Sequence, residues 1–484
     1  MITPTYQEIK QLAKEYSFIP ICKEIYADIV TPISILRRIS VFSMKYFLLE
    51  SIEGGEKWGR YSFIGFDPVT QITCKNKKII IDNKETTMTD NHNPYSYLRS
   101  VLSEYKAPKL PNMPPFIGGF VGYFSYEMIG YTESVLKLKE SDFATFDMML
   151  FDKVIAYDHL KQKIILIVSI KTDKLEKNYE QAVSNLEALE KLISEPMSLS
   201  GKNAKEKPSF RCNISKEEYC GMVEKTKEYI IDGDVFQAVI SRRFETQYRD
   251  SLLNAYRVLR TTNPSPYMVF LKSGDMELIC SSPETMVRLK DGKLITFPIA
   301  GSKPRGASRE EDEALAKELL EDEKELSEHN MLVDLGRNDI GKVSEYGSVK
   351  VTDYMKIQKY SRVMHITSEV EGRLKKGKDA FDAIEALLPA GTLSGAPKIR
   401  ACEIIEELER TPRGIYGGAI GYIDFTGNMD TCIAIRMAVK KQDRVYIQAG
   451  AGIVADSIPE REYEETGYKA SALMEALEKA HELE

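Results

Sequence analysis

The strongest constraint on this chain is a recurring pair of short apolar runs separated by a tight polar turn. Lys78–Ile81 is followed by Asp82-Asn83, Val154–Tyr157 leads into Ile164–Ile170, and Val287–Leu289 reaches Leu294–Phe297 through Asp291-Gly292. Asp-Gly suits the central positions of a two-residue hairpin turn, where φ is positive. Val445–Gln448 is placed to fold back on Ile435–Val439 in the same way. Strands joined this closely pair antiparallel, because a parallel partner needs a long crossover. The pattern predicts an α+β chain built on large antiparallel sheets rather than on alternating strand–helix units.

Helices are interspersed. Lys216–Ile231, Glu310–Leu335, Ala380–Leu388 and Tyr463–Leu483 carry apolar residues at three- and four-residue spacing. Residues 195–211 are polar, contain two prolines and read as an exposed connection, dividing the chain into regions 1–205 and 210–484 that could still share one core. One internal echo stands out: Gly118-Gly-Phe-Val-Gly-Tyr123 recurs as Gly417-Gly-Ala-Ile-Gly-Tyr422. Glycines inside strands mark close backbone approach or bulges, so the echo suggests similar sheets in the two regions.

Composition excludes several classes. The charge is 66 − 73 = −7, with both signs interleaved, which lacks the basic footprint of a nucleic-acid binder. The N-terminus is charged from Glu8 and has no apolar core of a secretory signal. The longest strongly apolar run, Ile164–Ile170, is far short of the ~20 residues that span a bilayer. Seven cysteines form no C-x-x-C pair and read as reduced thiols, so a cytoplasmic protein without membrane or nucleic-acid partners is expected. Its five histidines show no H-x-x-x-H spacing, which argues against zinc.

The motifs need weighing. Gly450-Ala-Gly-Ile-Val-Ala455 nominally fits a dinucleotide fingerprint, but that motif needs a helix directly after it. Here Asp456-Ser-Ile-Pro459 follows, and Pro459 would interrupt such a helix. The residues read better as a glycine turn that turns backbone donors toward an anion. Glu325 with Glu328, and Glu462 with Glu465, are E-x-x-E pairs that would share a helix face. Most such pairs are solvated. Glu328, however, precedes the apolar Met331–Leu335, so its helix is expected to enter the core, where acids need partners or a metal. His365, in Arg362–Ser368, is expected on a strand.

Together these stretches resemble the chorismate-utilising enzymes. The resemblance rests on Pro298-Ile-Ala-Gly-Ser302, Glu328–Asp339, Pro389–Lys398, Gly450–Ser457 and Glu462-Tyr-Glu-Glu465 with Lys469-Ala470. Leu48-Leu-Glu-Ser51, Trp58–Gly65 and Asn263–Met268 extend it across nearly the whole chain, most closely to the large components of anthranilate synthases. It implies a four-layer α/β/β/α sandwich with large antiparallel sheets. It implies Mg²⁺ held by Glu328 and Glu465, with Glu325 and Glu462 beside them. Chorismate would be bound by Thr392, Tyr416, Arg436, Ala449, Gly450, Gly452, Lys469 and Ser302. Glu284 resembles the acid that protonates the departing C4 hydroxyl, and His365 the histidine near that hydroxyl.

Two positions discriminate within the family. Gln237 stands where isochorismate-forming members carry a water-activating lysine, and Ala300 where many aminodeoxychorismate synthases carry a ring-attacking lysine. Both residues favour amination by ammonia followed by pyruvate loss, giving anthranilate. The alternatives are an aminodeoxychorismate or aminodeoxyisochorismate synthase, and a non-catalytic binder of chorismate or tryptophan. Ser302-Lys303 replaces the usual Thr-Arg, and Gly467-Tyr468 stands where Asn often precedes Lys469. Glu50, Ser51, Pro266, Tyr267 and Met268 resemble the pocket for tryptophan as feedback inhibitor. No glutaminase nucleophile motif is present, so a glutamine amidotransferase partner, in a heterotetramer, would supply the ammonia.

Overall fold

The run Ile164–Ile170 shows how the layers arise. In the computed structural model, which describes residues 2–51, 59–86, 93–195, 207–360 and 363–483, it lies within the strand Lys163–Lys171. Ile164, Leu166, Val168 and Ile170 pack into one apolar cluster, while Ile165 and Ile167 pack into another. A strand that is apolar at every position must be buried on both faces. The strand Tyr267–Ser273 behaves alike, with Met268 and Phe270 on one side and Val269 and Leu271 on the other. Each such side chain contributes about 1.5–3 kcal/mol by leaving water.

The described residues form two antiparallel sheets, of 13 and 12 strands. The outer face of the larger sheet is covered by helices Pro32–Ile39, Leu175–Ser194, Leu253–Thr262 and Pro459–Lys479, through Leu36, Leu186, Leu259 and Leu473. Its inner face meets the smaller sheet through Phe47, Phe63, Phe116 and Tyr422. Tyr95–Ser103, Glu323–Gly341 and Ala380–Leu387 add Leu98, Val333 and Ile384 to that same cluster. The result is the helix–sheet–sheet–helix sandwich that the family resemblance implies.

Strands from both sides of residue 206 meet in each sheet. In the larger one Lys45–Glu50 pairs with Tyr267–Ser273, Leu48 opposite Phe270. In the smaller one Gly119–Phe124 pairs with Ala419–Asp424, Gly122 opposite Gly421. Regions 1–205 and 210–484 are therefore not separate bodies. The two copies of the glycine echo lie side by side as neighbouring strands. Trp58 and residues 196–206, the middle of the polar connection, lie outside the described residues.

Local rules place the helices well, with two corrections. Lys216–Ile231 starts at a capping box between Ser215 and Glu218. The stretch Glu310–Leu335 is two helices, Arg309–Glu321 and Glu323–Gly341, because Asp322 accepts from the backbone of Lys324 and Glu325 and starts a new helix. No helix directly follows Gly450–Ala455, as read, but the last helix begins at Pro459 rather than at Tyr463, with the proline at a first-turn position where its missing N–H costs nothing.

At Gly122 an added Cβ would lie 1.9 Å from the Asp147 carbonyl oxygen, a backbone atom with no freedom to yield. Gly122→Ala should destabilise the protein by about 1–3 kcal/mol or more in thermal unfolding. Gly221, in the middle of Lys216–Ile231 with nothing within 4 Å of its Cβ position, should instead gain about 0.5–1 kcal/mol as alanine.

Candidate active site

Pro283-Glu284 is the short crossing between the strand Met276–Ser282 of the larger sheet and Thr285–Lys290 of the smaller one. Ser282 donates to the Ile433 carbonyl at 2.7 Å, and Ile433 N–H donates to the Glu284 carbonyl at 3.0 Å, so this crossing is pinned. The Glu284 side chain is buried, and burial pushes its carboxyl up to about 8, against smaller opposing effects from Thr392 and Lys469. Thr392 Oγ1 donates to Glu284 Oε1 at 3.0 Å. At neutral pH Glu284 carries a proton that it can give away.

Thr392 sits in the turn Gly391–Leu393, which is tied down from two sides. Lys398 is half-buried and pairs with Asp339 at 2.6 Å, joining two of the motifs read in the sequence. Gly391 packs so closely on Leu335 that a Cβ there would lie 2.6 Å from the Leu335 side chain.

His365 lies on the strand Val363–Arg373, as expected, with Ser302 opposite it on Ile299–Pro304. Its Nδ1 is 2.8 Å from the Gly301 carbonyl, which can only accept, so Nδ1 carries the proton and Nε2 a lone pair. Burial, reinforced by the Arg436 charge, lowers its pKa and keeps the ring neutral. The neighbour of Glu328, His329, is fully buried and bonded to Ser368, which makes it a structural tie between helix and strand. Arg436 adopts φ +51°, a left-handed conformation costing about 1–2 kcal/mol, and donates to the Lys469 carbonyl at 2.7 Å.

The expected glycine turn is instead part of a strand, Arg444–Ile453, paired with Gln237–Gln247 in the register Gly450 opposite Ser241 and Gly452 opposite Val239. On its other side Met437–Lys441 pairs only as far as Ile447 and leaves the rest of the edge open. Lys469 Nζ donates to the Gly450 carbonyl at 3.0 Å, and Gly450 N–H faces the Tyr416 hydroxyl. Both groups of Gly450 therefore point to the open edge, and the alternation of an antiparallel ladder sends those of Gly452 the same way. Backbone donors are present, but a strand edge supplies them. A Cβ would lie 2.8 Å from Tyr416 Oη at Gly450 and 2.4 Å from Gln237 Nε2 at Gly452, so any larger residue would displace one of these side chains. Gln237 is buried and its Oε1 has no partner. The Ala449 side chain turns away into the helix-facing core, so only its backbone can serve a ligand.

Four carboxylates come from two helices. Glu325 and Glu328 lie on Glu323–Gly341, and Glu462 and Glu465 on Pro459–Lys479. Burial raises Glu328, with further rises from Glu325 and Glu465. Glu325 and Glu462 are raised by burial too, and both feel Glu465. Glu465 itself pairs with Lys469 at 2.5 Å. Among the described residues no three acidic, histidine or cysteine side chains close into a complete ligand cage. The four are oxygen donors whose charge Lys324 and Lys469 offset only in part, the chemistry that suits a hard cation holding mostly water and substrate oxygens.

The five residues of the expected inhibitor pocket also come together. Glu50, Ser51, Pro266, Tyr267 and Met268 line a cavity of about 490 Å³. Glu50 is held by Arg260 at 3.0 Å and Tyr256 at 2.8 Å. The Tyr267 hydroxyl donates to Asp430 at 2.7 Å and lies 2.9 Å from Thr285 Oγ1, the residue after Glu284. This bridge between pocket and acid has no signature in the sequence, because Tyr267 and Thr285 come from different sheets. The buried pair Glu409–Arg413 was likewise not singled out, although a charge inside Thr411-Pro-Arg-Gly-Ile-Tyr-Gly-Gly418, amid glycines and apolar residues, is a usable signal.

The chorismate binding enzyme family matches residues 44–475. The chain belongs to this family. It is 48% identical over 494 residues to anthranilate synthase component 1 of Acetivibrio thermocellus, covering all of both chains. It is 45% identical to the protein of that name in Aquifex aeolicus, over 98% of each. The crystal structure of anthranilate synthase component I from Streptococcus pneumoniae TIGR4 superposes with a TM-score of 0.76 at 37% identity, over 93% of this chain and 99% of that one. The isochorismate synthase MenF of Escherichia coli, at 17% identity and a TM-score of 0.71 over 98% of this chain and 99% of that one, shares the fold. Among the described residues no helix is long and apolar enough to cross a membrane.

In protein labelled with ¹³C-glutamate, one carboxyl should titrate near 8 and vanish in Glu284→Gln. It should move upward in Thr392→Val, since that hydroxyl favours the charged form. A Glu284 titrating in the ordinary carboxylate range would contradict this account of the site.

Proposed function

We propose that this chain is the chorismate-converting component of an anthranilate synthase, which takes chorismate and ammonia to anthranilate and pyruvate through aminodeoxyisochorismate. The observation that carries the reading is Gln237. A buried amide cannot deprotonate water, but its unpartnered Oε1 can accept an N–H from ammonia, which needs no base to become a nucleophile.

Glu284 gives its proton to the C4 hydroxyl, which leaves as water while the amine adds at C2 and the ring double bonds shift. General-acid help of this kind contributes about 10²–10⁴ in rate. His365, neutral and with Nε2 as an acceptor, stands by the same hydroxyl. Arg436 and the donors of Gly450 and Gly452 bind the substrate carboxylates, and Tyr416 and Thr392 shape the pocket around them. Loss of the C2 proton and of the enolpyruvyl group as pyruvate then leaves an aromatic ring, which makes the second stage strongly downhill. Glu328 and Glu465 would hold Mg²⁺, with Glu325 and Glu462 beside them. The bound ion would neutralise the ring carboxylate and orient the ring. The raised, mutually repelling carboxylates support this, since a divalent cation relieves their repulsion.

Ammonia would come from a glutamine amidotransferase partner in a heterotetramer. With chorismate, Mg²⁺ and high ammonium, the purified chain should produce anthranilate fluorescence, and with glutamine in place of ammonium it should not. Accumulation of isochorismate or of an aminated intermediate, or turnover supported by glutamine alone, would overturn the reading.

Tryptophan is proposed as the feedback ligand of the 490 Å³ cavity. To inhibit, it must prefer a conformation less able to bind or convert chorismate. The Tyr267–Thr285 contact supports such a link, because it joins the cavity wall to the residue after Glu284. Ser51→Phe should raise the tryptophan concentration for half-inhibition by about tenfold or more, the equivalent of ~1.4 kcal/mol. An unchanged inhibition curve would move the ligand elsewhere.

A further inference from the structure

We infer that Arg413, acting with Glu409, is the positioning residue that holds the acid side of the active site in register with the amine side. The inference rests on the proposed reaction and goes beyond it, since both residues are buried and neither belongs to the set expected to bind chorismate.

The geometry is that of a bracket. Arg413 Nε donates to Glu409 Oε2 at 2.9 Å, and Nη2 donates to Glu409 Oε1 at 2.6 Å and to the Val239 carbonyl at 2.6 Å. Nη1 donates to the Leu393 carbonyl. Glu409 Oε1 also accepts from the backbone N–H and the hydroxyl of Ser241, each at 2.8 Å. Val239 and Ser241 lie two and four residues after Gln237 on the same strand, and Leu393 directly follows Thr392, the partner of Glu284. The Tyr416 ring lies 5.8 Å from the guanidinium and the Tyr126 ring 4.7 Å from it. One ion pair thus touches the strand of the amine side, the turn of the acid side and a wall of the substrate pocket.

Stability alone does not account for such a pair. A buried ion pair replaced by neutral groups of similar volume is often no less stable. A Gln–Met pair, however, lacks the Arg413 fork whose two nitrogens reach the Val239 and Leu393 carbonyls. A planar guanidinium with donors along fixed directions sets the spacing of those two carbonyls. Displacements on the order of 1 Å between reacting groups cost roughly 10²-fold in rate.

Arg413→Ala would leave Glu409 charged and unpaired in the core, so the test uses the neutral double variant Glu409→Gln with Arg413→Met. The wild-type chain is first confirmed to make anthranilate from chorismate, ammonium and Mg²⁺; its failure would count against the reaction and not against the bracket. The neutral pair should unfold cooperatively and keep its chorismate KM within about threefold, while kcat falls about 10²-fold. Adding Thr392→Val should cost little beyond the larger of the two separate losses, because both changes act through the same turn. A folded neutral pair with kcat within about twofold of wild type would overturn the inference. So would a combined variant whose loss is the product of the separate losses. If the neutral pair does not fold, Arg413→Lys, which keeps the charge but not the fork, carries the same cycle with the same two criteria.

Discussion

Burial of both faces of two stacked sheets is the constraint on which the rest of this protein depends. A sheet apolar on both sides needs a second sheet on one face and helices on the other. That requirement produces four layers from a chain of hairpins. It also forces the chain to cross from one sheet to the other at a few places. One crossing is Pro283-Glu284, where a carboxyl is pulled out of water and keeps its proton at neutral pH. The raised pKa of Glu284 is thus a product of the layer architecture.

The other half of the site comes from an unfinished ladder. Met437–Lys441 stops pairing at Ile447, so Arg444–Ile453 keeps an open edge beside Tyr416 and Lys469. Gly450 and Gly452 do not bend the chain; they leave room for Tyr416 and Gln237. Electrostatics follow the same layout. Glu284 and Gln237 are buried and the neutral His365 is half-buried, whereas Glu325, Glu328 and Glu462 are half-buried acids that all feel the exposed Glu465.

Much of the fold was legible in the sequence. Asp82-Asn83 and Asp291-Gly292 take positive φ at hairpin turns, and Lys216–Ile231 begins and ends where its spacing predicts. The misreadings have local causes. Asp322 outcompeted helix continuation by capping a new helix. The last helix was expected from Tyr463 but starts at Pro459, a residue suited to the first turn. The glycines at 450 and 452 were read as a turn, whereas they lie in a strand and leave room for neighbouring side chains. The site residues came mainly from family resemblance, because Glu284, His365 and Thr392 carry no local pattern that sets them apart from ordinary core or surface residues.

The amino-acid sequence alone determined the antiparallel hairpins, the helix caps and the residue types available for chemistry, since these depend on neighbours within a few positions. The tertiary structure decided which of those residues act together. Glu284 meets Thr392 across 108 residues, Gln237 meets Gly452, and Arg413 reaches Val239 across 174. Such meetings depend on the order of strands in two sheets, and strand order is set by the burial of the whole core rather than by any local stretch of chain.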